Sequence, residues 1–194
     1  MQQIDAIYPN KLYLSGIGGI LRKGELDARQ IGVIVSVTFD KGGRQFEDKN
    51  YHYFPIEDNP EADIFDIIPP IHTIIDTANA EGKSVLIHCT AGVSRSASVV
   101  ISYVMKTERM SFENALKFVK KKRLGVSPNW GFMYQLIEYE NQILPDKPSE
   151  QKHFVAAHLK QLWHLTCTEE EIEEAIKKLG RNSCRLLNHF CNPT

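Results

Sequence analysis

The clearest pattern in the chain lies at residues 83–105, KSVLIHCTAGVSRSASVVISYVM. Its first five residues, 83–87, are typical of a short buried strand. Residues 96–105 are apolar on almost every side and predict a buried helix. The loop between them therefore lies at a helix N-terminus, where backbone N–H groups lack partners and the helix dipole is positive. An anion binds readily at such a place.

This loop carries a nucleophile, Cys89, and a cation, Arg95. Gly92 lets the backbone bend tightly around an anion, and the planar guanidinium of Arg95 matches two phosphate oxygens. The same field favours the thiolate of Cys89, which can attack a bound phosphoryl group and form a cysteinyl-phosphate. We expect His88 to fix the loop geometry and help keep the thiol ionised, and Ser96 to donate a hydrogen bond to the departing sulfur. A lone cysteine after a strand is more often a small buried hydrophobe, but this context is far more specific.

Strands and helices alternate along the rest of the first 144 residues, which predicts an α/β layer structure. In the helix predicted at residues 67–79, Pro69 and Pro70 are tolerated if they occupy the first turn after an Asp66 cap. A turn is predicted at residues 40–44. The other predicted strands are residues 11–14, 33–38 and 52–56, and the other predicted helices are residues 26–31, a helix capped by Ser111, and residues 131–143.

Residues 144–148 (LPDKP) predict a boundary between a domain of residues 1–144 and a helical C-terminal extension of residues 145–194. The second of three short helices predicted in this extension has one apolar face. That face must be buried against the first domain, within a small bundle of its own, or against a partner protein. The three helices cover residues 149–164, the segment from a Thr168 capping box to Gly180, and the segment after Asn182.

The composition is that of an ordinary globular chain: 42% of the 194 residues are hydrophobic, 24% are charged, and the formal net charge is −1. This balance gives no field that would attract nucleic acid or an anionic membrane, so neither partner is expected. No run of about 18 apolar residues exists, so no membrane span is expected. The N-terminus lacks a secretion-signal pattern, and three of the four cysteines lie in the extension, a poor disulfide framework. We therefore expect a cytoplasmic chain, with the nucleus as an alternative compartment.

The segment HCTAGVSRS, residues 88–96, resembles the signature loop of the cysteine-dependent phosphatases. In detail it is similar to that of the dual-specificity protein phosphatases, including the MAP-kinase phosphatases. Residues 8–16 (YPNKLYLSG) resemble the opening strand of that family, and residues 127–136 (SPNWGFMYQL) resemble its closing helix. The resemblance covers residues 5–143 and implies a central mixed, mostly parallel sheet of about five strands flanked by helices.

The resemblance also implies an activity. The chain would be a dual-specificity protein phosphatase that hydrolyses phosphotyrosine and phosphoserine or phosphothreonine in signalling proteins. Cys89 would be the nucleophile, and no cofactor or metal would be needed. The partner would be a phosphoprotein substrate, and a protein kinase is one candidate. The residues implied to bind phosphate are Thr90, Ala91, Gly92, Val93, Ser94 and Arg95.

The leaving oxygen of a phosphoester needs a proton, which a carboxylic acid on a loop can supply. The family places an aspartate after a Pro-x-x pattern that ends a strand, and residues 55–58 (PIED) fit this pattern with Asp58. Alternatively, Asp58 only makes an Asx turn with Asn59 and Pro60. By the same likeness Asn129 would tie the last helix of the domain to the active-site loops, or it only caps that helix.

The charge of the loop bears on the substrate. Thr90, Ala91, Val93 and Ser94 are neutral, whereas a lipid or inositol phosphatase would be expected to carry lysines there to meet several phosphates. The loop therefore favours a phosphoprotein. Two other functions stay open: a phosphoprotein-binding scaffold with little catalysis, and sulfur transfer by a rhodanese-like enzyme, whose loop is similar.

Two further groups of residues have open interpretations. The basic run KFVKKKR, residues 117–123, predicts a solvated helix end that complements the helix dipole. A substrate-docking patch or a nuclear import signal would have the same pattern. Five residues of the extension could surround zinc, but their spacing matches no common zinc pattern, so no metal is predicted. They are His164, Cys167, Cys184, His189 and Cys191.

Overall fold

A computed structural model of the chain describes residues 3–39, 45–145 and 152–191. The turn predicted at residues 40–44 lies outside these described residues. Among the helices of the described segments, none combines the length and the hydrophobicity that a bilayer-crossing segment needs.

Five strands form one mixed sheet, with the spatial order β1-β2-β5-β3-β4. Strand β1 is antiparallel to β2, and the three other neighbouring pairs are parallel. The predicted mixed, mostly parallel sheet of about five strands is therefore confirmed, although β1 was not among the individual strands predicted. The strands are β1 (Asp5–Tyr8), β2 (Leu12–Gly16), β3 (Ile31–Val37), β4 (Asn50–Phe54) and β5 (Ser84–Cys89).

The central strand, β5, determines where the site lies. Each of its six residues is buried, because β2 and β3 cover its two edges and helices cover the sheet. The carboxyl ends of the parallel strands β2, β3, β4 and β5 meet at one edge of the sheet. The chain leaves β4 and β5 at that edge, so the segments that follow Phe54 and Cys89 are brought together there.

Eight α-helices surround or extend this sheet in the described residues. Every residue of α3 from Ser96 to Met105 is buried, as the apolar sequence predicts. The predicted Ser111 cap is confirmed, since its side chain accepts a hydrogen bond from the Asn114 N–H. The helices are α1 (Lys23–Ala28), α2 (Ile68–Ala80), α3 (Arg95–Glu108), α4 (Phe112–Lys122), α5 (Trp130–Ile143), α6 (Lys152–Leu162), α7 (Glu169–Leu179) and α8 (Ser183–Cys191).

The predicted Asp66 cap of α2 is wrong. The helix begins one residue later than an Asp66 cap would allow, with Ile67 at the N-cap position and no side-chain capping bond. The reason is a preceding turn: the N–H groups of Ile67 and Ile68 both donate to the Ile64 carbonyl, which makes a carboxylate cap unnecessary. Two prolines still occupy the first turn of α2, where their missing N–H groups need no helical partner.

The extension packs onto the α/β part of the chain. Apolar residues of α6, α7 and α8 belong to the same buried cluster as residues of the sheet, α3 and α5. Two edge-on ring contacts reinforce this packing, Phe154 on Phe112 and Trp163 on Trp130, with centroids 5.7 and 6.2 Å apart. Of the three alternatives for the apolar face of α7, the small helical bundle is the one observed, because α7 packs on α6 and α8, and α6 in turn packs on α5.

Candidate active site

Residues 89–95, the phosphate loop, join β5 to α3. The Cys89 side chain is buried, and its Sγ accepts hydrogen bonds from the Gly92 N–H and the Ser96 hydroxyl, each at 3.1 Å. The first turn of α3 has no side-chain cap, so its N–H groups and its positive dipole end are directed at the loop. Negative charge on the sulfur is stabilised by both features.

Gly92 is required by its surroundings. Its φ angle is +70°, and a Cβ atom built on it would lie 2.5 Å from the carbonyl carbon of Ser15 at the end of β2. A side chain at this position would therefore strain the backbone and separate the loop from the sheet. Because Gly92 has no side chain, the loop can lie directly against the end of β2, where Gly16 is paired with Cys89 of β5.

Arg95 connects the phosphate loop to the segment after β4. One terminal nitrogen donates to Thr90 Oγ1 at 2.9 Å, and the other lies 3.4 Å from the Ile56 carbonyl oxygen. The Arg95 Nε atom is 3.5 Å from Asp58 Oδ2, a distance that gives charge attraction. The same Nε is buried and has no hydrogen-bond partner among the described residues, so its N–H is a donor for a bound oxyanion.

Asp58 lies on residues 57–63, the acid loop, and reaches across to the phosphate loop. Its Oδ1 accepts hydrogen bonds from Ser94 Oγ at 2.6 Å and from Asn129 Nδ2 at 3.0 Å. The Asx turn considered as the alternative exists, but Asn59 makes it: Asn59 Oδ1 accepts from the N–H groups of Glu61 and Ala62. The Asp58 carboxylate is therefore free of that turn and faces the phosphate loop.

Asn129 has both of the predicted interactions. Its Oδ1 accepts from the Phe132 N–H and caps α5, while its Nδ2 donates to Asp58. Its own backbone N–H donates to Ser94 Oγ at 3.0 Å. A single residue thus connects the start of α5 to both loops.

His88 is buried below the phosphate loop. Its Nε2 lies 2.6 Å from Ser36 Oγ on the neighbouring strand β3, and its Nδ1 lies 3.4 Å from the Cys89 carbonyl oxygen. Burial lowers the pKa of His88 to about 4, although the contact with the Cys89 backbone acts in the opposite direction. The imidazole is therefore neutral near pH 7, so it can fix the loop but adds no positive charge that would keep the thiol ionised.

Arg123 was not predicted as a site residue, and its assignment to a solvated helix end is wrong. Its side chain is buried, whereas the lysines of the same basic run are exposed. Its Nε donates to the Gly92 carbonyl at 2.8 Å and its NH2 to the Ala91 carbonyl at 3.0 Å. Its NH1 forms a 2.6 Å ion pair with Asp5 on β1, which compensates the buried charge.

The contacts of Arg123 orient the phosphate loop. Because the carbonyls of Ala91 and Gly92 are held toward Arg123, the Gly92 N–H can be directed inward to Cys89 Sγ. One signal in the sequence could have identified it. Arg123 follows Leu116 and Val119 at helical spacing and so continues the buried face of α4.

The candidate zinc ligands of the extension form no metal cluster among the described residues. Within the described part of the chain, no group of three or more His, Cys, Asp or Glu side chains is placed to hold a metal ion. The Cys191 side chain lies outside the described residues.

Comparison with protein families identifies the catalytic segment. The family described as "Dual specificity phosphatase, catalytic domain" matches residues 12–142. The tyrosine-protein phosphatase vhp-1 of Caenorhabditis elegans is 37% identical over 145 residues, which cover 74% of this chain and 22% of that protein. Dual specificity protein phosphatase 1 of Homo sapiens is 37% identical over 133 residues, 69% of this chain and 36% of that protein. The chain therefore spans less than half the length of these curated relatives.

Two solved structures are similar to this chain. The human tyrosine phosphatase-like serine/threonine/tyrosine-interacting protein has a TM-score of 0.70 and 30% identity, over 74% of this chain and 99% of that one. The Yvh1 phosphatase domain from Chaetomium thermophilum has a TM-score of 0.64 and 26% identity, over 76% of this chain and 100% of that domain.

Proposed function

The chain belongs to the dual specificity phosphatase family, and from this membership we propose that it is a protein phosphatase that hydrolyses phosphotyrosine and phosphoserine or phosphothreonine in proteins. One observation carries the proposal. Cys89 Sγ receives two hydrogen bonds inside an uncapped helix N-terminus, and Arg95 and Asp58 lie at the same loop. These are the nucleophile, the anion-binding groups and the proton donor that phosphomonoester hydrolysis requires.

In the first step of the proposed reaction, the phosphoryl oxygens bind the N–H groups of residues 90–95 and the Arg95 guanidinium. The Cys89 thiolate attacks phosphorus in line with the leaving oxygen, so an S–P bond forms as the P–O bond breaks. Asp58 gives its proton to the leaving oxygen, which departs as a neutral hydroxyl group.

In the second step, water attacks the cysteinyl-phosphate. The Asp58 carboxylate takes a proton from this water, and the S–P bond breaks to release inorganic phosphate. The sulfur leaves as a thiolate, and the Ser96 hydroxyl, 3.1 Å from Sγ, stabilises it by donating a hydrogen bond. Asp58 is then protonated again, the thiolate is restored, and no metal or cofactor takes part.

The neutral side chains of the phosphate loop support a phosphoprotein as the substrate, and Asp58, about a third exposed at 34%, leaves the site open to a protein segment. A protein kinase is one such substrate in this proposal. We also assign the activity to residues 1–144, with residues 145–194 as an extension, and the end of the family match at residue 142 supports this boundary. We place the protein in the cytoplasm, with the nucleus as an alternative.

The proposal is tested with phosphopeptides that carry phosphotyrosine, phosphothreonine or both, in the presence of a chelator. We expect the wild-type protein to release inorganic phosphate from all of them, and Cys89→Ser to release none, because an alcohol is not ionised at neutral pH. Phosphate release by Cys89→Ser would contradict the mechanism, and thiosulfate turnover by the wild type would favour sulfur transfer.

A second candidate is a phosphoprotein-binding scaffold. It is favoured by the 30% identity to the human protein described as an interacting protein. Tight binding of the same phosphopeptides without phosphate release by the wild type would support the scaffold and contradict the enzyme.

A further inference from the structure

The acid loop is held by a segment that the family match does not include. The turn between α7 and α8, residues 180–182, here called the tail turn, lies directly against it. Arg181 NH1 donates to the Ala62 carbonyl at 3.2 Å, and Asn182 Nδ2 donates to Glu61 Oε1 at 2.9 Å. Since the family match ends at residue 142, this contact belongs to the extension.

On its other side the acid loop rests on α5. Gln135 donates from Nε2 to the Ala62 carbonyl at 2.9 Å and accepts at Oε1 from the Ile64 N–H at 2.9 Å. A Cβ atom on Gly131 would lie 2.1 Å from the Pro60 carbonyl oxygen, so loop and helix are in direct contact. The Ala62 carbonyl therefore receives one hydrogen bond from the catalytic domain and one from the extension.

The tail turn is itself anchored, so it can act as a fixed support. Asn182 Oδ1 accepts from the Arg185 N–H and caps α8, and Leu186 of α8 is fully buried. Trp130 at the start of α5 lies with its Nε1 3.3 Å from Ser183 Oγ. The extension thus contacts α5 and the acid loop at the same place.

We propose that Arg181 and Asn182 are positioning residues that hold the acid loop closed, so that Asp58 lies over the phosphate loop. This inference rests on the proposed phosphatase function. Four of the seven residues of the acid loop are exposed, while Pro60 packs on Gly131 and Ala62 is partly buried against the core. When the tail turn releases Ala62 and Glu61, the loop opens and the proton donor moves away, while the buried nucleophile is unaffected.

The test compares two substrates that differ in their need for a proton. Phenyl phosphate has a poor leaving group and requires the acid, whereas dinitrophenolate leaves its phosphate ester readily without it. Because Asp58 also activates water in the second step, which both esters share, the comparison uses kcat/KM, which reports only the steps up to formation of the cysteinyl-phosphate. Arg181→Ala, which removes one hydrogen bond to the loop, should lower kcat/KM for phenyl phosphate by about three- to tenfold. It should lower kcat/KM for dinitrophenyl phosphate by less than about twofold, and Arg181→Lys, which keeps a donor, should restore most of the loss.

Glu61 tests the same contact from the loop side. Glu61→Ala removes the acceptor of Asn182 and should lower kcat/KM in the same selective manner, whereas Glu61→Gln keeps an acceptor oxygen and should be close to the wild type. Lys177→Ala, at an exposed position of α7, is the matched control and should not change either rate. An equal loss on both substrates, or no loss, would overturn the proposal.

A second measurement does not depend on activity. Hydrogen–deuterium exchange of the amides of residues 57–64 should be faster in Arg181→Ala than in Lys177→Ala, since the loop opens more often. Unchanged exchange would overturn the inference even in an active enzyme. Faster exchange in Arg181→Ala, together with a wild type that releases no phosphate, would support the contact and contradict the phosphatase function alone.

Discussion

The phosphate loop and the acid loop meet at Asp58, but the structure holds them in different ways. The phosphate loop follows a fully buried strand, precedes a buried helix and is bound from below by His88 and Arg123. The acid loop is largely exposed and depends on a few hydrogen bonds from α5 and the tail turn.

The two loops meet two different requirements of the proposed chemistry. A nucleophile and its anion site must be preorganised, because a small displacement of oriented N–H groups costs much transition-state stabilisation. A proton donor must approach and withdraw as the substrate enters and the product leaves, which an exposed loop allows. Substitutions in the buried region should therefore affect folding and all substrates, and substitutions in the acid loop should lower kcat/KM only for substrates whose leaving group needs a proton.

The largest effect is expected at Arg123. Arg123→Met leaves Asp5 buried without its counter-charge, which should lower the free energy of unfolding by about 3–5 kcal/mol. It also removes two donors from the carbonyls of the phosphate loop and should lower kcat/KM by about ten- to hundredfold on every substrate. Urea unfolding and steady-state kinetics measure the two effects.

A paired variant separates stability from positioning. Asp5→Leu combined with Arg123→Met replaces the ion pair with apolar groups and should recover most of the stability. Its kcat/KM should stay low, because the carbonyls of Ala91 and Gly92 still lack their donors. Full recovery of activity together with stability would mean that Arg123 supports the fold but does not orient the loop.

The next effect is expected at Asp58. Asp58→Asn keeps an acceptor oxygen for Ser94 and Asn129 but supplies no acidic proton, so kcat/KM for phenyl phosphate should fall by about a hundredfold or more. The value of kcat/KM for dinitrophenyl phosphate should fall far less. Asp63→Asn, another carboxyl group of the acid loop, is the control and should behave like the wild type. Equal losses on both esters would show that the two loops are not functionally separate.

A smaller effect, on stability, is expected when the pH is lowered, because the buried His88 titrates. The pKa of His88 is about 4 in the folded protein, against an ordinary value of 6.5, so the unfolded chain binds more protons between these values. The contribution of the neutral His88 to stability is complete above its pKa of 6.5 in the unfolded chain. It is lost as the pH falls from there toward the pKa of about 4 in the folded protein. Between neutral pH and about pH 5, protonation of His88 in the unfolded chain should lower the free energy of unfolding by about 2 kcal/mol.

Urea unfolding at both pH values measures this loss. His88→Gln does not titrate there and should lose about 2 kcal/mol less than the wild type between the same two pH values. His72, whose pKa is also lowered to about 4 by burial, keeps its own share of the pH dependence in that variant. An identical slope in both proteins would contradict a neutral, buried His88.

Several elements could be predicted from the sequence because their causes are local. The strand before Cys89, the buried helix after it and the Thr168 capping box are set by residues within a few positions of one another. The Asp66 cap was wrong although the cause is equally local and lies two residues before the predicted cap. The carbonyl of Ile64 had already satisfied the N–H groups that a cap would serve.

By itself the sequence determined the phosphate loop, since strand, Cys89, Gly92, Arg95 and helix are contiguous and an anion site at a helix N-terminus needs nothing more distant. Only the tertiary structure decided that Arg123 is buried and that the tail turn supports the acid loop. Arg123 pairs with Asp5 across 118 positions, and Arg181 bonds Ala62 across 119. The burial of a charge and the position of an exposed loop depend on such partners, and the residues adjacent in the chain do not reveal them.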